Sequence, residues 1–302
     1  MTAATATLSA RAHTTTSPGV RLAMVEIGRY ARTPLFLVGL ILTVLTTAAP
    51  EAGETRNSHL LTVLIPALFL GIFGLMVMYQ LTRRSDRLAA AAGSPTVGMR
   101  TRTAALAASV VVPVTAGLIW FAWTVQIYLG TDTPADGLPF GGVGDGWAIG
   151  TLFALGVLSC AGGPILGLVL ARWFPRRGIS VIAVIVLIIA TVLMQGIIEP
   201  LRYIRVIMPF TWFGNQYGVE GDPERYVILT GSPQWYSAYL IALCVLGVLV
   251  ALYRDPEPPR RNLRIAIGVV ATAAVVLCLL AMTTGVQEVM VNPVPSAFAV
   301  SP

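Results

Sequence analysis

Seven long apolar runs dominate this chain of 302 residues and leave few folds open to it. A helix needs roughly 20 apolar residues to cross the hydrocarbon core of a bilayer. No run has a charged residue at its centre, where insertion would cost about 3 kcal/mol. The sequence therefore predicts an all-α polytopic integral membrane protein with spans over residues 33–50, 59–80, 103–128, 147–171, 179–198, 236–253 and 265–284.

The composition excludes several classes of function. Charged residues make up 11% of the chain, against about 25% in soluble proteins. Its arginines lie in short loops between apolar runs, which argues against nucleic acid as a partner. Lysine is absent, which excludes a P-loop and Schiff-base chemistry. Because Cys160, Cys244 and Cys278 fall inside apolar runs, we interpret them as small buried hydrophobes. We predict no catalytic residue, no metal site and no cofactor in this chain.

The arginines predict the orientation. The N-terminal part and residues 81–102, 172–178 and 254–264 hold 16 of the 20 arginines but 4 of the 14 acids. Arginine excess marks the cytoplasmic side of a membrane. We therefore predict a multi-pass protein of the cytoplasmic membrane, with its N-terminus inside and, after seven crossings, its C-terminus outside.

Two segments precede the first span. Residues 1–17 are rich in Thr and Ala and predict a disordered cytoplasmic tail. Residues 18–32 predict an amphipathic helix that lies in the inner interface. Its apolar face would carry Val20, Ala23, Met24, Ile27 and Ala31, and its opposite face Arg21, Glu26, Arg29 and Arg32.

The segment 81–102, which overlaps "RRSDRLAAAAGSPTVGMRTRTAAL" (residues 83–106), has two interpretations. It is either a basic loop that fixes orientation or a docking surface at the membrane face. The second interpretation rests on its length and on a predicted short helix. Ser85 or Asp86 would cap that helix, and Gly93 would end it before Pro95.

The order of these segments resembles that of the permease subunit of ABC-2 type ABC transporters. The resemblance covers residues 18–253. It implies that 33–253 form a transmembrane core behind the interfacial helix 18–32, and it leaves 254–302 as an added span and outside tail. It implies that 81–102 and "RWFPRRG", residues 172–178, contact a separate P-loop ATPase subunit that carries ATP and Mg²⁺. The implied coupling residues are Arg83, Arg84, Asp86, Arg87, Leu88, Arg172, Arg176 and Arg177.

The longest connection between spans, 199–235, is rich in aromatic residues and contains "PFTW". Such rings favour the headgroup level, so one interpretation is an interfacial belt that anchors the spans. The family resemblance implies instead an outer gate over the substrate path. The gate residues would be Arg202, Arg205, Pro209, Phe210, Trp212 and Phe213.

Together these features favour the permease subunit of an ATP-driven transporter, an exporter that acts as a homodimer or with a paired permease and contacts membrane lipids. One alternative is an ion-coupled carrier, although such carriers usually keep acids or broken helices at the midplane. Another is a non-transport anchor or accessory protein. Gly163 and Gly167, four residues apart in the fourth span, predict a close approach between two helices.

Overall fold

The computed structural model describes residues 17–48, 62–93, 97–131, 145–193, 207–209, 217–219, 222–227, 231–255 and 260–285. The predicted tail 1–17 lies outside these ranges except for its last residue, and the end of the predicted C-terminal tail, 286–302, lies outside them as well.

Helices make up almost all of the described chain. A 3₁₀ turn, Thr62–Leu64, and a π turn, Ala67–Gly71, lead into α3, and a second π turn, Ala154–Leu158, joins α6 to α7. The helices are α1 (Pro18–Ala31), α2 (Pro34–Ala48), α3 (Ile72–Ala91), α4 (Met99–Ala108), α5 (Val111–Gly130), α6 (Asp145–Phe153), α7 (Ser159–Trp173), α8 (Ile179–Val192), α9 (Pro233–Tyr253) and α10 (Arg260–Thr283).

Every apolar run that the sequence singles out is helical over most of its described residues, and the run 103–128 has a break at Ser109 and Val110. Within the described ranges, four helical segments are long and apolar enough to cross a membrane, namely Met99–Gly130, Asp145–Trp173, Pro233–Tyr253 and Arg260–Thr283. A fifth is possible if α1 and α2, which meet at a bend of 57°, form one broken span. The chain is thus a helical membrane protein, and the count of seven spans stays a prediction.

The helix predicted before the first span forms, but one of its faces differs from the prediction. Pro18 occupies the first turn of α1, where its missing N–H costs nothing. Glu26, predicted on the polar face, is instead buried at 2% exposure. The Glu26 carboxylate accepts a hydrogen bond from Arg29 at 2.7 Å, and this pairing offsets the cost of its burial.

The predicted close approach of helices at Gly163 and Gly167 is confirmed. A methyl group at Gly163 would overlap the Gly71 carbonyl oxygen, and one at Gly167 would overlap the Leu75 carbonyl oxygen. The α7 backbone therefore lies directly against α3 and the π turn before it, a contact that only glycine permits here.

The buried residues divide into two clusters along the spans. One contains Val63, Trp147 and Leu158, and packs α5, α6, α9 and α10 together. The other contains Tyr30, Leu70 and Cys160, and packs α1, α2, α3, α4 and α7 together. On the path from α6 into α7, the change from one cluster to the other comes between Leu158 and Cys160, at the end of the π turn.

A short antiparallel hairpin lies within the predicted outer segment 199–235. Strand β1 (Tyr217–Val219) pairs with β2 (Asp222–Val227), with Tyr217 opposite Val227 and an irregularity between Gly218 and Val219. Among the described residues this hairpin is the one β-sheet, and it was not expected from the predicted all-α architecture.

Candidate functional site

Three charged side chains meet at the arginine-rich side of the molecule, near the ends of α3 and α7 and the start of α4. The Asp86 carboxylate accepts a hydrogen bond from Arg172 Nη1 at 2.6 Å, and the same oxygen lies 3.6 Å from Arg102 Nη1. Arg102 also donates to the Ser85 carbonyl oxygen at 3.3 Å. We call Asp86, Arg102 and Arg172 the charged junction.

Burial makes this junction more than a surface ion pair. The Arg172 side chain is 0% exposed and that of Asp86 is 27% exposed. Nε and Nη2 of Arg172 find no hydrogen-bond partner among the described residues. Because a buried guanidinium without its carboxylate is strongly destabilising, Asp86 holds α3 and α7 at a fixed position relative to each other.

A second polar contact ties the connection after α7 to α3. The Tyr79 hydroxyl lies 2.6 Å from the Arg176 carbonyl oxygen and 3.0 Å from that of Phe174, so it donates to one of them at a time. Gly178 follows with a φ of 85°, a left-handed conformation that glycine adopts without strain. These contacts turn the chain from α7 into α8.

The two segments predicted to contact an ATPase are therefore adjacent in space. Around the charged junction, Arg84, Arg87, Leu88, Arg176 and Arg177 are exposed, and Arg83 is half-buried. The predicted helix start at Ser85 or Asp86 is wrong, since α3 continues from Ile72 through Ala91 without a break. Its predicted end is confirmed, because Gly93 follows with a φ of 71°.

An apolar cavity of about 510 Å³ lies between the π turn before α3 and helices α7, α8 and α9. The π turn contributes Leu68 and Gly71 to its walls. The other lining residues lie between Ser159 and Val169 on α7, between Leu187 and Val192 on α8 and between Leu243 and Val250 on α9. Pockets of about 300–1,000 Å³ with mainly apolar walls are typical of small-molecule sites. We call this space the apolar cavity.

Of the predicted outer gate, Pro209 is described, and it lines the apolar cavity. Two tyrosines of α9 fix the segment 207–209. The Tyr236 hydroxyl donates to the Met208 carbonyl oxygen at 2.7 Å, and that of Tyr239 to the Ile207 carbonyl oxygen at 3.0 Å. Arg202, Arg205, Phe210, Trp212 and Phe213 lie outside the described residues.

Sequence reasoning missed the roles of Tyr79, Arg102 and the apolar cavity. One signal was available for the charged junction, since Asp86 is the sole acid in the two basic segments 81–102 and 172–178. The cavity had no comparable signal, because the glycines of this span predict close helix contact rather than space. Nothing in the local sequence around Tyr79 indicates that it contacts residues about 95 positions away.

Comparison with known proteins gives no match to this chain among family models, curated proteins or solved structures.

Proposed function

We propose that this chain is the membrane-spanning permease subunit of an ATP-driven transporter, an exporter that hydrolyses no ATP itself and is driven by a separate P-loop ATPase subunit. The observation that supports the proposal is the charged junction. It links the two segments that a docked ATPase would have to move, one at the end of α3 and one at the end of α7.

The exposed rim of the junction has the chemistry of a protein-docking surface. Arg84 and Arg87 supply positive charge on α3, and Arg176 and Arg177 supply it on the connection after α7. Leu88 and Phe174 are exposed among them, at 51% and 56%. Aromatic residues and arginine are enriched at interfaces, where they contribute most of the binding energy.

The buried centre of the junction could transmit a movement of the docking surface to the membrane spans. Arg172 and Asp86 lie near the ends of helices that touch at Gly163 and Gly167. A push on the end of α3 would therefore act on α7 as well, and packed helices respond to such a force by sliding as rigid bodies. In this proposal the permease acts as a homodimer or with a paired subunit.

The first prediction tests the docking surface by charge reversal. Arg84→Glu combined with Arg87→Glu should abolish copurification with a coexpressed candidate P-loop ATPase, because like charge replaces complementary charge at the contact. Association is measured by affinity purification from detergent-solubilised membranes, together with the amount of inserted permease.

The matched control is Arg260→Glu with Arg261→Glu, which makes the same charge change on exposed residues at the start of α10. Copurification should survive it. If the two double variants bind the ATPase equally well, the arginines of α3 serve orientation alone, and a carrier or an anchor without an ATPase becomes the better assignment.

A further inference from the structure

The residues that line the apolar cavity present almost only hydrocarbon to a bound molecule. The two hydroxyls on its surface are already engaged within their own helices, since Ser159 donates to the Leu155 carbonyl oxygen and Thr191 donates to that of Leu187. The other described residues around it are mainly Leu, Ile, Val, Ala and Gly. A polar ligand would lose its hydration there without compensation, so the occupant must be apolar along this length.

The cavity is continuous with the outer apolar surface of α8. Ile188 lines the cavity and is also 41% exposed, and its neighbour Ile189, which does not line it, is 53% exposed. Ile182, Ile185 and Val186 extend the same exposed surface along the helix. In a helical membrane protein this surface faces lipid, so a hydrocarbon chain can enter the cavity sideways from the bilayer.

An exposed arginine, Arg254, lies one helical turn beyond the last residue of α9 that lines the cavity. Val250 lines the cavity, and its carbonyl oxygen accepts a hydrogen bond from Trp173 Nε1 at 3.1 Å. The guanidinium of Arg254 lies 5.8 Å from the centre of the Trp173 ring. Arg176 and Arg177, which follow Trp173 in the chain, are exposed and add positive charge on this side of the molecule.

We propose that the apolar cavity binds one acyl chain of an anionic glycerophospholipid from the surrounding bilayer, with the lipid phosphate beside Arg254 and Trp173. The length fits this occupant. The α7 residues that line the cavity, Ser159 to Val169, extend over about 15 Å at the rise of an α-helix, and half of a hydrocarbon core is about 15 Å thick. Tryptophan at the headgroup level and arginine facing phosphate are a common combination at membrane surfaces.

This inference does not rest on the permease assignment, because it concerns a lipid of the bilayer and needs neither an ATPase nor a transported substrate. Its test uses the full chain in nanodiscs of phosphatidylcholine with a minor fraction of phosphatidylglycerol that carries a photoreactive group in its acyl chain. Peptides that become labelled after illumination are identified by mass spectrometry.

We expect labelling to concentrate on the cavity-lining stretches of α7, α8 and α9, above the level on the exposed face of α10 around Val275 and Val276. Ile188→Trp fills the cavity and should reduce this labelling to the α10 level. Ile189→Trp adds the same side chain outside the cavity and should leave it unchanged. Leu246→Trp and Val245→Trp repeat the comparison on α9, where Leu246 lines the cavity and Val245 does not.

The charged end is tested with Arg254→Gln. This variant should reduce labelling by the anionic probe about fivefold, as expected for one arginine near a phosphate, and leave labelling by a photoreactive phosphatidylcholine unchanged. Arg264→Gln is its control, because Arg264 also contacts an aromatic ring, that of Tyr253 at 5.7 Å, but Tyr253 does not line the cavity.

Three results would overturn the proposal. The first is labelling of the cavity stretches no stronger than that of α10, which would also be the outcome if another segment of this chain filled the cavity. The second is an equal effect of the filling variants and their neighbours. The third is equal labelling of the wild-type protein by the anionic and the zwitterionic probe, which would mean that the site does not recognise an anionic headgroup.

Discussion

At the scale of single residues, the pairing of Asp86 with Arg172 has the largest consequence. Arg172 is fully buried, and its one described acceptor is the Asp86 carboxylate at 2.6 Å. Removing one partner of a buried pair strands the other charge, whereas replacing both by apolar groups is often tolerated. The effect on stability of replacing one of these residues should therefore depend strongly on whether the other is present.

We predict that Asp86→Ala lowers the free energy of unfolding by about 3 kcal/mol, and that Arg172→Met added to it recovers part of the loss. The measurement is a reversible unfolding titration of the purified protein in mixed micelles. Arg84→Met, a change at an exposed arginine of the same helix, should stay within about 0.5 kcal/mol of wild type. A double variant less stable than Asp86→Ala would contradict this account, since it would mean that Arg172 is stable without its acid.

At the scale of elements, the contact of α7 with α3 depends on two glycines. A methyl group at Gly163 or Gly167 would overlap a backbone carbonyl oxygen of the facing segment, and backbone cannot move aside as a side chain can. Gly163→Ala and Gly167→Ala should each lower the free energy of unfolding by about 1–3 kcal/mol.

The control for both is Gly268→Ala in α10, where a methyl group would meet no heavy atom within 4 Å. It should leave stability unchanged or raise it slightly, because alanine favours helix. The same titration measures all three variants. A loss at Gly268 as large as that at Gly163 would show that the glycines matter for helix flexibility rather than for close packing.

The helices themselves could be predicted from the sequence, because apolar runs of membrane length leave the backbone no other way to satisfy its hydrogen bonds. The charged junction could be predicted only in part. Arg172 and Asp86 are 86 positions apart, and no periodicity links two such distant residues. The π turns and the cavity depend on which faces of the helices meet, which is decided by packing among several helices at once.

At the scale of the whole molecule, the uneven distribution of arginine predicts orientation. A fluorescent protein fused after Gly93 should fluoresce, because the excess of arginine predicts that 81–102 lies in the cytoplasm. Alkaline phosphatase fused after Pro302 should be active, since the predicted seven crossings would place that end outside. Each reporter at the other position is the control. Fluorescence from a fusion after Pro302 would require an even number of crossings.

The two π turns have a consequence for how the molecule can vary. Each π turn contains one more residue than a regular helical turn. The side chains after it are therefore rotated about the helix axis by about 100° relative to the pattern set by the residues before it. The turns lie at one depth, since a methyl group at Gly71, the end of the first, would lie 3.1 Å from the carbonyl oxygen of Ser159, just after the second. On the spans that contain a π turn, the spacing of buried residues in the Trp147 cluster is therefore not in register with the spacing in the Tyr30 cluster. Deleting one residue from the turn Ala154–Leu158 would rotate α6 as a unit and disturb the Trp147 cluster, while the cluster around Tyr30 kept its sequence and its contacts.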